Sequence, residues 1–359
     1  TITIPTRKGY TFLGYFAEEN GQGKKYYNAD GTSATTYYRY VDITLYAAWK
    51  VNTYSIIYNK NTPANASSTI VGTMDNSTHT YDTAKTLSRN AYSLVGYTFK
   101  GWATSRNGSV VYSDEEEVLN LVESGSITLY AVWEANKYQI KYNSNKPLSA
   151  SSNIFGSINN SNHTYDETKT LSDNEYSLVG YTFKGWSKIL NGTVDFKDGE
   201  EISNLSSENS DVVNLYAVWE VHTYKVKYNS NKPLGSTGTI TGSMADSSYK
   251  YDKEYTLSVN KFNLIGYTFK GWATVKDGVI VYTDKQKVKN LSSENNAIIN
   301  LYAIWEANKY SITFNTMGGS FVNKITMSYD EAFSDIVPPT RKWYNFEGYY
   351  TLPNVEGTK

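Results

Sequence analysis

The sequence contains no cysteine. That excludes disulfide staples, thiolate nucleophiles and cysteine metal sites, and it fits an exported bacterial protein. Histidine is almost as scarce: there are 3, none in an H-E-x-x-H or similar spacing, which argues against a metal or histidine-based catalytic centre. Apolar runs are short, and none approaches the ~20 residues that span a bilayer, so no membrane insertion is expected of this segment. No signal peptide opens the chain. No G-x-S-x-G elbow or phosphate loop is present. An excess of charge of one sign is missing too. Lys+Arg is 34 against 35 Asp+Glu, a balance that argues against the concentrated basic face nucleic acids require. These absences lead to an expectation of no enzyme, no cofactor and no catalytic residue.

What is abundant is tyrosine, 34 of 359 residues, together with 8 Trp and many Thr and Val, a composition that favours strands. These residues recur in a repeat. GYTFKGW occurs at 96–102, 180–186 and 266–272, with the variants GYTFLGY at 9–15 and WYNFEGY at 343–349. LYAxW ends at Trp49, Trp133, Trp219 and Trp305, spaced by 84, 86 and 86 residues. An aromatic-x-Ile/Val-x-aromatic segment starts at Tyr54, Tyr138, Tyr224 and Tyr310, and a Tyr-Asp pair follows at Tyr81, Tyr165, Tyr251 and Tyr329. Three complete repeats at 54–133, 138–219 and 224–305 are expected, with partial repeats at 1–49 (a C-terminal half) and 310–359 (an N-terminal half). The period exceeds the 20–50 residues of solenoid coils and suits small domains with separate cores.

Within a repeat, Tyr54, Ile56 and Tyr58 alternate with polar residues, the period of a half-buried strand. The closing strand ending at Trp133 is apolar on both faces and belongs in the centre of a sheet. Gly101 predicts a bulge that turns Trp102 inward. Asn107-Gly108, Asn191-Gly192 and Asp277-Gly278 predict hairpin turns with positive φ. Asp114 to Val122 is the best helix candidate, with Asp114 as its cap and Val118 and Leu121 on one face. The core should comprise Trp49, Phe99, Trp102, Leu129 and Trp133, then Phe183, Trp186, Leu215 and Trp219, then Phe269, Trp272, Leu301 and Trp305. Tyr54, Tyr58, Tyr97 and Tyr130 also read as core.

GYTFKGW, followed about 30 residues later by LYAVW, resembles the Listeria–Bacteroides repeat family, also called the internalin B-repeat family. The last partial repeat, with Asn315 to Ser320 after its first strand, looks like the family's short form, whereas the middle repeats carry inserts such as Asn59 to Ser77. The resemblance implies β-grasp-like modules, akin to ubiquitin or mucin-binding modules, in secreted or wall-anchored bacterial proteins, where such repeats lie between a recognition domain and an anchor. It brings no catalytic residues. The expected fold class is therefore mainly β (α+β at most): tandem modules, each a few-stranded sheet with at most one short helix.

A residue used by every repeat should recur in every repeat. His79 and His163 are equivalent, but Tyr249 replaces them in the next repeat, and His222 lies in a junction. Of the acidic run Asp114 to Glu117, only the Asp recurs, as Asp198 and Asp284, which favours a solvated face over a calcium site. Net charge drifts from +2 over 1–50 through −3, −4 and +4 to 0 over 307–359. Repeats gripping one charged polymer would agree in sign. Lys100, Lys184 and Lys270 are expected to point outward and not to form isopeptide cross-links. Tyr37, Tyr38 and Tyr40, unique to the first partial repeat, are the candidate binding residues, because aromatic faces can stack on sugars.

Four residues without Gly or Pro separate Trp133 from Tyr138, as at the next two junctions. They span at most ~14 Å, so fixed angles between repeats are expected, giving a rod on the order of 150 Å. The segment reads as cut from a longer array; the alternative is that complementary half repeats of neighbouring copies pair by strand donation. The expected role is an extracellular stalk on the bacterial cell surface. The alternatives are an adhesin binding host glycan or protein, and a filament of neighbouring copies.

Overall fold

The computed structural model describes residues 2–353 and 357–359. Thr1, in the first partial repeat, and 354–356, in the last, lie outside the described residues. Two compact units are present. One comprises 1–143, 158–174 and 195–216; the other comprises 144–157, 175–194 and 217–359. The division runs through the middle repeat.

The first unit contains the whole of repeat 54–133. Its four strands, Thr53–Asn59, Ser77–Thr80, Tyr97–Ala103 and Gly125–Ala135, lie in the order second, first, fourth, third. The first and fourth are parallel, with Tyr58 opposite Leu129, and the outer pairings are antiparallel. This is the strand order of a β-grasp sheet. Lys85–Thr86, from the connection between the second and third strands, pairs with Glu117–Val118, from the connection between the third and fourth, as a two-stranded ribbon.

Period two does the sorting. Tyr54, Ile56 and Tyr58 point to the core with Leu129, Ala131 and Trp102, while Ile57 and Ser55 face away. Register slips between Phe99 and Gly101. Gly101 has φ +141, and any Cβ there would press on the Tyr112 carbonyl. The resulting bulge seats Trp102 in full burial between Tyr58 and Phe99, at ring distances of 4.9 and 5.0 Å. Leu129 is equally buried. Phe99 and Trp133 are half-buried and pack against the same cluster, with the Trp133 indole donating to the Lys60 carbonyl at 2.9 Å.

The segment from Asp114 to Val122 is not a helix. Glu115 and Asn120 sit at φ +56 and +58, and Glu117–Val118 is a strand. Asp114 recurs for another reason: its carboxylate accepts the Asn90 amide at 2.8 Å, tying two loops. Glu116 reaches back to the Ser113 amide at 2.6 Å. The spacing of Val118 and Leu121 fits a helix, but it arises from a strand residue and a later loop residue that both face the core. Among the described residues, the one helical turn is the 3-10 segment Glu19–Gly21 in the first partial repeat. That partial repeat is a three-stranded sheet of Lys25–Asn28, Tyr10–Phe16 and Tyr46–Val51, with Trp49 half-buried against Phe12 at 5.4 Å.

The second unit contains the whole of repeat 224–305. Thr223–Asn229, Ser247–Lys250, Tyr267–Ala273 and Ala297–Ala307 reproduce the order and the parallel central pair. Trp272 and Leu301 are fully buried, and Phe269 and Trp305 lie half-buried against them. Asp284 accepts the Asn260 amide at 2.9 Å, as Asp114 does in its repeat. Among the described residues, the last partial repeat shows the antiparallel strand pair Lys309–Ile312 with Ile325–Ser328.

Of the middle repeat, Lys137–Asn143 and Ser161–Thr164 belong to the first unit and Tyr181–Ser187 to the second. Trp186 and Leu215 are fully buried, and Phe183 and Trp219 are half-buried. The turns after the third strands close by bonds from Gly108, Gly192 and Gly278 to the carbonyl three residues back. Asn191 and Asp277 have φ +58 and +55 there, but Asn107 does not. A turn of this kind closes without positive φ.

Candidate functional site: the joints between repeats

A recurring hydrogen-bonded constellation links one repeat to the next. It is built from the Tyr-Asp pairs. In the first unit, the Tyr165 ring lies against Gly96 of the preceding repeat, where any Cβ would overlap the ring. The ring also meets Tyr97 edge to face at 6.1 Å. Gly96 has φ +78. Glycine is needed twice here, for the left-handed backbone and for the missing side chain.

Asp166 supplies the polar half. It accepts bonds from the Tyr97 hydroxyl at 3.0 Å, the Ser67 amide at 2.9 Å, the Ser67 hydroxyl, and Asn204 Nδ2 at 2.8 Å. Ser67 lies in the insert of the preceding repeat, 99 residues away in sequence. Burial pushes the Asp166 carboxyl upward, but the bonds from Ser67, Asn204 and Tyr97 outweigh it and hold it below the usual range. Burial, reinforced by Asp166, raises the Tyr97 hydroxyl to about 12. Tyr97 thus serves the joint; it is not a buried core residue.

The connecting residue closes the joint. The Asn136 amide donates to the Gly96 carbonyl at 2.8 Å, and the Asn136 carbonyl accepts the Tyr165 amide at 2.9 Å. Its side chain accepts from the Thr98 hydroxyl at 2.6 Å and donates to the Ser207 carbonyl at 2.7 Å. The same unit repeats the plan at its front. Tyr81 lies against Gly9, Tyr10 donates to Asp82 at 2.9 Å, and Thr11 bonds Asn52.

The second unit holds two more joints. Tyr251 sits against Gly180, and Asp252 accepts from Tyr181, Ser151 and Asn290. Lys289 Nζ lies 3.7 Å from this carboxylate, whose side chain is 1% exposed. Burial opposes ionisation of Asp252, and the bonds from Ser151 and Asn290 win. Tyr329 sits against Gly266, and Asp330 accepts from the Thr237 hydroxyl and amide and from Tyr267. Asp330 is likewise held low, first by the Thr237 hydroxyl.

His222 occupies the connecting position that Asn holds elsewhere. Its Nδ1 lies 2.6 Å from the Ser293 carbonyl and its Nε2 lies 2.8 Å from the Thr182 hydroxyl. A neutral imidazole offers one donor and one acceptor, which is the pair the Asn side chain uses. No metal chemistry is needed to account for this residue.

The other candidates have ordinary placements. Lys100, Lys184 and Lys270 are exposed and pair with Glu134, Glu220 and Glu306 at 3.2, 3.2 and 2.9 Å. Among the described residues, no three His, Asp or Glu side chains gather as a ligand set, and no helix is long and apolar enough to cross a membrane. Tyr37, Tyr38 and Tyr40 are exposed, Tyr40 completely. Tyr37, Tyr26 and Tyr27 line an open cleft of about 730 Å³; Tyr38 and Tyr40 do not. Tyr38 instead accepts from Lys24 Nζ at 3.1 Å, which lowers its hydroxyl pKa.

The Listeria-Bacteroides repeat domain matches residues 1–48, 54–132, 138–218, 224–304 and 310–359. A protein of Evansella cellulosilytica described as a Gly-rich membrane protein is 31% identical over 263 residues, 72% of this chain and 28% of that protein. Internalin H of Listeria monocytogenes is 29% identical over 134 residues, 37% of this chain and 21% of that protein. The chain thus spans less than a third of the curated relatives it matches. Among solved structures, the Bacillus anthracis TIE protein aligns over 73% of this chain and 54% of its own, at 10% identity and a TM-score of 0.28. With five matches along its length, this chain belongs to the Listeria-Bacteroides repeat family.

Proposed function

We propose that the chain is a non-enzymatic repeat region of a bacterial cell-surface protein, acting outside the cell as a semi-rigid stalk or spacer. One observation carries this reading: each of the four junctions is closed by the same Tyr-Asp joint. A chain of modules meant to swing freely has no use for an ordered contact between residues about 70 to 100 positions apart at each step. The names of the relatives, a membrane protein and an internalin, support the surface setting. So does the changing charge from repeat to repeat, since it leaves no common electrostatic surface for one polymer to grip.

The test is a distance distribution between two labels placed on exposed positions of repeats 54–133 and 138–219. The wild type should give a narrow distribution, and Asp166→Ala a broad one. A broad distribution in the wild type would defeat the stalk reading. The cleft beside Tyr37, with Tyr26 and Tyr27, favours a second reading, an adhesin that binds host glycan. A glycan array probed with this chain and with Tyr37→Ala decides it: signal that vanishes in the variant supports the adhesin.

A further inference from the structure

The joint needs a glycine at one position, and four of the five repeat units (1–49, 54–133, 138–219, 224–305 and 310–359) have it: Gly9, Gly96, Gly180 and Gly266. The fifth does not. In the aligned segment of the last unit that position is Trp343. The φ angle there is unchanged, although among the described residues no strand follows it as one follows each glycine. Trp343 has φ +73 where the four glycines have +76, +78, +79 and +79. Five residues on, Gly348 has φ +134, as Gly14 has +131 in the first unit. The Tyr344 amide bonds the Arg341 carbonyl just as Tyr10 bonds Arg7, and Phe346 meets Tyr349 at 5.0 Å as Phe99 meets Trp102.

A left-handed φ is unfavourable for a bulky side chain. Among the described residues, Trp343 is the one aromatic residue that adopts it. Strain kept at one site while the surrounding pattern is preserved points to a use for the side chain there. The indole is 88% exposed, so core packing does not account for it.

In the other four units the incoming tyrosine ring occupies the space where even a Cβ would go. An indole at that position leaves the ring no room. The adjoining threonine is altered as well. Thr11, Thr98, Thr182 and Thr268 bond the connecting residue, and the last unit has Asn345 instead. We infer that Trp343 closes the docking socket of the 310–359 unit, so that this unit accepts no further repeat through the Tyr-Asp joint. The inference rests on the joint geometry and stands whether or not the array serves as a stalk.

Two measurements by hydrogen exchange test it. In the full chain, Gly266→Trp should unseat Tyr329 and speed exchange of the Asn308 and Tyr329 amides by about tenfold or more, with the strands of repeat 54–133 unaffected. Unchanged protection at these two amides would overturn the inference. The reciprocal experiment does not depend on that variant folding. Residues 350–359 are replaced by a segmentally labelled copy of 273–359, which places a new Tyr-Asp pair after the socket of the last unit. The copied Asn308 and Tyr329 amides should exchange freely with Trp343 present and become protected in Trp343→Gly. Equal protection with the tryptophan retained would refute the proposal, as would free exchange in both chains.

Discussion

Repeats 54–133 and 224–305 share a strand order and a core, yet they fill one slot with different chemistry. In the first, His79 is fully buried, stacks on Tyr54 at 5.4 Å and bonds Ser77 at 3.0 Å. Its Nδ1 has no hydrogen-bond partner, and burial, aided by Lys85, lowers its pKa. In the other, Tyr249 fills the slot, meets Tyr224 edge to face at 5.9 Å and stacks on Tyr255 at 4.4 Å. Burial raises its hydroxyl pKa. The neighbour has changed with it: Tyr255 stands where Lys85 donates to the Thr78 carbonyl at 2.7 Å. The slot requires a flat aromatic side chain, and the polar atoms are negotiated locally. One repeat is thereby exposed to protonation and the other is not.

The largest effect should erase the contrast. Trp102→Ala and Trp272→Ala empty equivalent, fully buried positions and should each cost about 3–5 kcal/mol, read as lost amide protection within the mutated repeat. A much smaller loss in one would mean that the two cores are not equivalent. Next come the joints. Asp166→Ala removes an ionised acceptor of several bonds and should cost about 1–3 kcal/mol locally; Asp330→Ala should loosen its own joint in the same direction. Because the folded carboxyls of Asp166, Asp252 and Asp330 titrate below the usual range, the stability they give is complete above the unfolded value of about 3.9 and is lost as pH falls through the folded values. The joints of both kinds of repeat should therefore loosen in strong acid.

Milder acid should separate them. The folded pKa of His79 lies below the unfolded value of about 6.5, so in that window the unfolded chain binds more protons and stability falls as pH drops. His163, buried beside Lys169 in the middle repeat, is shifted in the same direction. Amide exchange at decreasing pH should show repeat 54–133 losing protection before repeat 224–305. The paired change His79→Tyr with Lys85→Tyr should remove the difference; if it persists, the histidine is not its source. The smallest effect is expected at the exposed pairs: Lys100→Ala and Lys270→Ala should each change stability by less than about 1 kcal/mol, with no distinction between repeats.

Some of this was readable in the residues. Alternation placed Tyr54, Ile56 and Tyr58 on one face, and Gly101 marked the bulge that buries Trp102. Local pattern misled at Asp114, where a recurring acid before spaced apolar residues looks like a capped helix. The bond that explains the acid goes to an amide 24 residues earlier. Tyr97 looked like core for a similar reason, since its partner Asp166 is 69 residues away. The Tyr-Asp pairs were visible as a motif, but nothing within a few residues of them revealed what they touch.

The sequence alone determined the period of the array, the main strands such as Thr53–Asn59 and Tyr97–Ala103, and their inward faces, because side-chain alternation and glycine conformation act over a few residues. Only the tertiary structure decided how one repeat engages the next and why His222 can stand in for asparagine. Those depend on groups brought together from distant parts of the chain, where distance, direction and available volume select the partner, and no local spacing encodes them.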